Sequence, residues 1–383
     1  MIEPFTVDVP QADLDDLQRR LAATRWAPEQ PAGTDDGAYG VPLGRLRRLV
    51  ARWREFDWRR CEDRLNAYPQ FLARIGGQTV HLLHVRSAVP DALPVVLSHG
   101  WPGSVFEYLE LVDRLVDPAA HGGGPGDAFH VVLPSLPGYG FSGPAREAGW
   151  GTRRIAAAWA ELMAELGYDR YGAIGNDAGS MISPELGRLE PDRVVGVHVT
   201  QLFSFPSGDP AELAGLDDDE QAAMSVLKWF WQNKGAFNTL HGQQPQTLAY
   251  AITDSPAGLL AWNAQLFDEA LDDDFVVANV ALYWLTGTGG TSIRHYYEDT
   301  HASTAPPSGP TTVPIGLAAA SEGDFRSIRR FAERDHARII SWAQLPGVAG
   351  HYSAHTHPDE LAADIRRFFG PLRPTATKTR RNS

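Results

Sequence analysis

Tyr171-Gly172-Ala173-Ile174-Gly175-Asn176-Asp177-Ala178-Gly179-Ser180 decides how the rest of this 383-residue chain is read. A short apolar run ends in the pattern small-x-Asp-x-small, and helical spacing begins at once. That is the layout of a nucleophile elbow, a strand-to-helix turn so tight that its central residue takes a strained backbone conformation. Side chains two positions either side of Asp177 would collide, so Gly175 and Gly179 meet the steric demand. The turn lifts the Asp177 carboxylate clear of the sheet and aims the N–H groups that follow it at whatever the carboxylate attacks. The same residues also fit a plain loop in which Asp177 is a helix N-cap. The flanking sequence separates the two readings.

Upstream, Pro94-Val95-Val96-Leu97 is continuously apolar, as a strand buried on both faces should be, and ends in Ser98-His99-Gly100-Trp101-Pro102-Gly103-Ser104. A helix then reaches about Leu115, and a strand at Phe129 to Leu133 leads into the loop from Pro134 to Gly143. A helix from about Thr152 to Leu166 precedes the Asp177 strand, and Val194 to Val199 forms the next one. Strands alternating with helices at this spacing predict an α/β protein with a mostly parallel, doubly wound sheet and right-handed crossovers. Ligands of such sheets lie beyond the carboxyl ends of the strands, where Asp177 and the His99 loop both fall.

The chain divides into an N-terminal region (1–75), a first core segment (76–202), a helical lid (203–305), a second core segment (306–372) and a polar tail (373–383) expected to be disordered. In the first region, Gln11 to Ala23 and Leu43 to Trp53 have helical spacing, and strands are expected at Phe71 to Ile75 and Val80 to Val85. Its apolar content is too small for a separate core, so it should wrap the main domain. The lid segment is rich in Trp, Phe, Leu and Asp and shows no strand pattern. Strands resume at Val313 to Ala318 and Ile339 to Ala343, followed by a helix from Pro358 to Phe369.

The formal net charge of −13 argues against nucleic acid and anionic membrane surfaces as partners. Cys61 is the only cysteine, which excludes a disulfide framework and a thiolate metal site. With no signal-like N-terminus and no apolar run of bilayer length, a cytoplasmic protein is expected. A homodimer is left open.

A nucleophile on this architecture is followed in the chain by an acid and then a histidine. Asp177 is the first; Asp324, with Glu322 as rival, follows the strand after the lid; His351 follows the last strand beside Gly350. The N–H groups of Trp101 and Ala178 would form an oxyanion hole, and a cis Trp101-Pro102 bond is expected. His99 is read as shaping its own loop. His351 and His355 are four apart, with His357 beyond, but Gly350 and Pro358 bracket a loop there and no carboxylate or cysteine completes an obvious cluster, so no metal is assigned.

Together with Pro4-Phe5, Asp57-Trp58-Arg59, Leu65-Asn66, Thr253-Asp254-Ser255-Pro256, Tyr283-Trp284 and Gly350-His351, these motifs resemble the epoxide hydrolases of the α/β-hydrolase superfamily. The likeness is to the branch carrying the epoxide-hydrolase N-terminal region and runs over nearly the whole chain. It implies a small-molecule epoxide and water as substrates and no cofactor. It further implies attack by Asp177 on an oxirane carbon, then hydrolysis of the ester by water that His351 and its acid activate. Two lid tyrosines hold and protonate the epoxide oxygen in that family. The second matches Tyr296, but the first falls on Phe237, which has no proton to give. Ala178, where relatives often carry an aromatic residue, is a second departure.

A haloalkane dehalogenase shares fold and aspartate, but Ala178 removes the indole that would hold the leaving halide. A binding protein that has lost turnover is supported only by Phe237. Trp229, Phe230 and Trp231 suggest a bulky aromatic epoxide, as in natural-product and antibiotic biosynthesis; detoxification is the other setting for such an activity.

Overall fold

The computed structural model describes residues 1–31, 37–302, 309–323 and 325–373, without the side chains of Glu322 and Ala349. The expected tail from residue 374 on and the acid candidate Asp324 therefore lie outside the described residues.

Apolar β-branched runs assemble one nine-stranded sheet: β1 (Ile2–Phe5), β2 (Gln70–Ile75), β3 (Gln78–Val85), β4 (Leu93–Ser98), β5 (Phe129–Pro134), β6 (Tyr171–Gly175), β7 (Val194–Val199), β8 (Ile315–Glu322) and β9 (Ile339–Ala349). Their spatial order is β1-β2-β3-β5-β4-β6-β7-β8-β9. Pairings from β5 through β9 are parallel, whereas β1–β2, β2–β3 and β3–β5 are antiparallel. Every residue of β5, β6 and β7 is buried, which is what helices covering both faces of a parallel sheet require.

Register decides what meets at the carboxyl edge. Ser98 pairs with Gly175, so the loop after β4 runs beside the turn after β6. Gly175 also pairs with Val199, which sets Thr200 and Gln201 on that turn's other side. Glu322 pairs with Ala349, so β8 ends beside the residue two before His351.

One feature of the N-terminal region had no clear sequence signal: Ile2–Phe5 joins the sheet edge as β1. Trp58–Asn66 is a helix. Asp57 caps that helix by accepting from Arg59 N–H at 3.0 Å, and its Glu62 reaches back to Val9 N–H at 2.7 Å. The lid consists of helices between Pro210 and Thr300, and Phe275–Tyr283 of Asp273–Leu285 is buried on all sides. No described helix is long and apolar enough to cross a membrane.

Close backbone approach, more than side-chain volume, limits the centre of the sheet. A Cβ on Gly179 would overlap the carbonyl oxygen of Ser98, and one on Gly175 would overlap that of Gly179. Gly179→Ala should therefore lower stability by about 3 kcal/mol, because backbone rather than a yielding side chain stands in the way. Urea unfolding checks this: the midpoint should fall while the slope stays unchanged.

Candidate active site

Asp177 is the one described non-glycine residue with positive φ, at 52°. The helix Gly179–Leu189 starts just beyond it with Ala178 as N-cap and no side-chain cap, so Asp177 is not spent on capping. Its Oδ1 instead accepts from Trp101 N–H at 3.0 Å. A Cβ on Gly100 would overlap Oδ1 and come within 2.6 Å of Ala178 N, so both amide nitrogens and Oδ1 crowd one spot that only glycine can border. Trp101-Pro102 is cis, as expected.

The other carboxylate oxygen has a different environment. Oδ2 lies 3.7 Å from His351 Nε2. Asn176 holds the histidine loop in place: its Nδ2 donates to His351 O and to Glu107 Oε1, both at 3.2 Å, and its Oδ1 accepts from Thr200 Oγ1 at 2.6 Å. The His351 N–H points to Asp268 Oδ2 at 3.4 Å, and Nδ1 of the ring lies 3.1 Å from Gln201 Nε2.

Asp177, His351 and Tyr296 line a single cavity of about 390 Å³ beneath the lid. Phe237 lines it too, stacked on Trp101 at 5.5 Å and edge-on to Tyr296 at 5.9 Å. Burial, and then the Asp177 charge, hold the Tyr296 phenol well above its ordinary pKa, so it keeps its proton. Two histidines pack against that ring, His295 at 4.2 Å and His241 at 5.0 Å. His241 Nε2 accepts from the indole of Trp262 at 2.9 Å, and burial pushes its pKa down to about 3.

Trp231 lines the cavity as expected, but Trp229 does not: it is 47% exposed, and Leu227, Phe230 and Trp231 line the wall instead. Those three share a helix face at i, i+3 and i+4, and position 229 falls off it. His99 Nδ1 lies 3.2 Å from Gly100 O in its own loop, while its Nε2 accepts from Leu136 N–H of the loop after β5 at 3.3 Å. His355 pairs with Asp272 at 3.1 Å and stacks on Phe275. Among the described residues no group of His, Cys, Asp and Glu is arranged to hold a metal ion. Of the acid candidates, Asp324 and the Glu322 side chain lie outside the described residues.

Sequence reasoning missed Asn176, Gln201, Asp268 and Glu107. The first two were within reach of it, because they adjoin the carboxyl ends of neighbouring strands. Asp268 is a lid residue, and only the fold brings it to Gly350.

The fold and site define an α/β hydrolase with an acidic residue at the elbow. The epoxide hydrolase N-terminus family matches residues 2–108, and the alpha/beta hydrolase fold family matches residues 94–271. A Stigmatella aurantiaca protein named "Putative epoxide hydrolase" is 40% identical over 97% of this chain and 86% of its own. Epoxide hydrolase 1 of Sus scrofa is 29% identical over 97% of this chain and 89% of its own. The solved structure of Aspergillus niger epoxide hydrolase superposes with a TM-score of 0.84 at 29% identity, covering 97% of each chain. This chain belongs to the epoxide hydrolase family.

Glu107 supplies a pH test of the site's surroundings. It is buried behind Asp177, and desolvation raises its pKa well above the ordinary value. A raised carboxyl pKa means that the native state holds a proton the unfolded state releases, so this contribution to stability falls as pH rises above the unfolded value. Glu107→Gln removes that dependence. Its melting temperature should match the parent near pH 4 and exceed it progressively toward about pH 8, measured by thermal denaturation across pH.

Proposed function

We propose that this protein hydrolyses an epoxide to a vicinal diol through an ester on Asp177. The observation that carries the reading is the split environment of that carboxylate. Oδ1 is bound by Trp101 N–H, while Oδ2 faces His351 Nε2 in the cavity that Tyr296 also lines.

In the first step Oδ2 attacks an oxirane carbon. The carbon–oxygen bond of the strained ring breaks, and the oxygen takes the proton of Tyr296. A phenol whose pKa is raised still yields a proton to an alkoxide, and is restored from solvent afterwards. In the second step His351 Nε2 takes a proton from water as that water attacks Cγ of the ester. The tetrahedral oxyanion forms on Oδ1, against the N–H groups of Trp101 and Ala178. Collapse breaks the Cγ–oxygen bond, and the leaving oxygen recovers the proton from His351. Asp324, with Glu322 as the alternative, is proposed as the carboxylate that balances the imidazolium.

The cavity favours a bulky aromatic epoxide. Trp101, Phe203, Phe230, Trp231, Phe237 and Phe325 wall it, and its volume admits a multi-ring substrate. Such an epoxide belongs to natural-product chemistry more than to small aliphatic compounds.

Single turnover with styrene oxide in water labelled with heavy oxygen tests the ester route, with mass spectrometry of the Asp177 peptide as readout. Label in that peptide is expected; diol formed without it would exclude Asp177 as nucleophile. Tyr296→Phe should slow ester formation by about 10²–10⁴, the usual worth of a positioned acid, with substrate binding little changed. Turnover of small aliphatic epoxides only would refute the aromatic-substrate reading.

A further inference from the structure

We propose that the cavity selects epoxides carrying a cationic group, and that Asp268 is the residue that sets this preference. The inference rests on the reading of this cavity as the epoxide site and names the substrate class within it.

The cavity wall favours one sign of charge. Among its described lining residues Asp177 and Asp268 are carboxylates, and none is lysine or arginine. His295 and His351 also line it, the first buried and the second beside Asp177. Trp101, Phe203, Phe230, Trp231, Phe237 and Phe325 add aromatic surface. Aromatic faces are electronegative, so they attract a cation as a carboxylate does, and aromatic cages are a recurrent site for quaternary ammonium groups. A cleft lined by one sign of charge between apolar walls also concentrates the opposite charge.

The place of Asp268 follows from the lid segment around it. Phe267 turns into the core, stacked on Tyr352 at 5.2 Å and edge-on to Phe275 at 6.0 Å, while its neighbours Leu266 and Asp268 line the cavity. The carboxylate sits against the histidine loop. A Cβ on Gly350 would come within 2.5 Å of Asp268 Oδ2, and the same oxygen faces His351 N–H at 3.4 Å. Oδ1 accepts no hydrogen bond from a described residue. Arg45 approaches the same segment but is engaged elsewhere: its Nη2 donates to Phe267 O at 2.6 Å, and its Nη1 lies 3.9 Å from Glu269.

Asp268 is thus a cavity carboxylate without an ion pair among the described residues, and the proposed mechanism gives it no proton to move. A substrate ammonium is the counter-charge that fits it. Asp177 cannot fill that role throughout, because its charge is lost when the ester forms. Asp268 keeps its charge in both steps and so holds the cation from epoxide to diol.

Three styrene oxides test the preference, each as its meta and para isomer. One bears a trimethylammoniomethyl group, one the neutral neopentyl group of the same shape, and one a carboxylate. In the parent, kcat/KM for the cation should exceed that for the neutral isostere by about tenfold in at least one isomer, with the carboxylate the poorest of the three. Asp268→Asn keeps an acceptor for His351 N–H and removes the charge. It should lower the cation-to-neutral ratio about fivefold; the ratio is read because a disturbance of the His351 loop acts on both substrates alike. Equal kcat/KM for cation and neutral isostere in the parent, or a ratio that Asp268→Asn leaves unmoved, would overturn the inference. Asp268→Ser decides the comparison if the asparagine variant does not fold. Calorimetric binding of benzyltrimethylammonium, which needs no chemistry, keeps the two readings apart. If no epoxide is turned over, the epoxide reading fails. Binding to the parent that weakens about fivefold in Asp268→Asn would still assign the cation preference to the cavity, and no binding to the parent would overturn that too.

Discussion

The left-handed turn at Asp177 is the constraint on which the centre of the molecule depends. An aspartate at φ 52° is held only where its surroundings over-determine it. Here Gly175, Gly179 and Gly100 remove every Cβ that would touch the turn, so β4, β6 and the following helix close to backbone contact. The gain is directional. With the carboxylate held upright, Oδ1 and Oδ2 are no longer equivalent, since one meets a backbone N–H and the other a histidine and a cavity. A side chain on an ordinary loop would rotate between the two.

The electrostatic setting follows from the same compaction. Histidines packed into the interior are held neutral by burial, with pKa values pushed down to about 3 for His81 and His241 and about 4 for His99. Glu107 is pushed the other way and keeps its proton. Desolvation thus neutralises the groups nearest the sheet's carboxyl edge that do not open to the cavity. Asp177, by contrast, has a backbone donor at Oδ1 and opens to the cavity.

Much of this was legible in the chain because it is enforced by backbone geometry and burial. The β7 strand Val194–Val199 and the helix Pro358–Phe369 fall where apolar periodicity places them, and the glycines around Asp177 mark the turn once the flanking strands are read with them. Ile2–Phe5 was not legible, because an edge strand owes its state to the β2 partner and not to its own alternation. Trp229 was misjudged because composition does not say which face of a helix looks inward. Asp268 gave no signal of its own: it matters through His351, 83 residues away in the chain.

Phe237 changes what the cavity can ask of a substrate. Two phenols would fix the oxirane oxygen between them and so orient the ring. In the proposed mechanism, the Tyr296 phenol alone would fix a single point and leave rotation about it free. The choice between the two oxirane carbons would then fall to the shape of the wall: Phe237 stacked on Trp101, with His241 and His295 packed against the Tyr296 ring. An aromatic substituent gains most from such a wall, because its faces and edges have complementary partners there, whereas a short aliphatic chain meets no orienting contact. Under the proposed mechanism, the missing proton donor and the aromatic surface at Phe237 would act together, moving the choice of carbon from hydrogen bonding to packing.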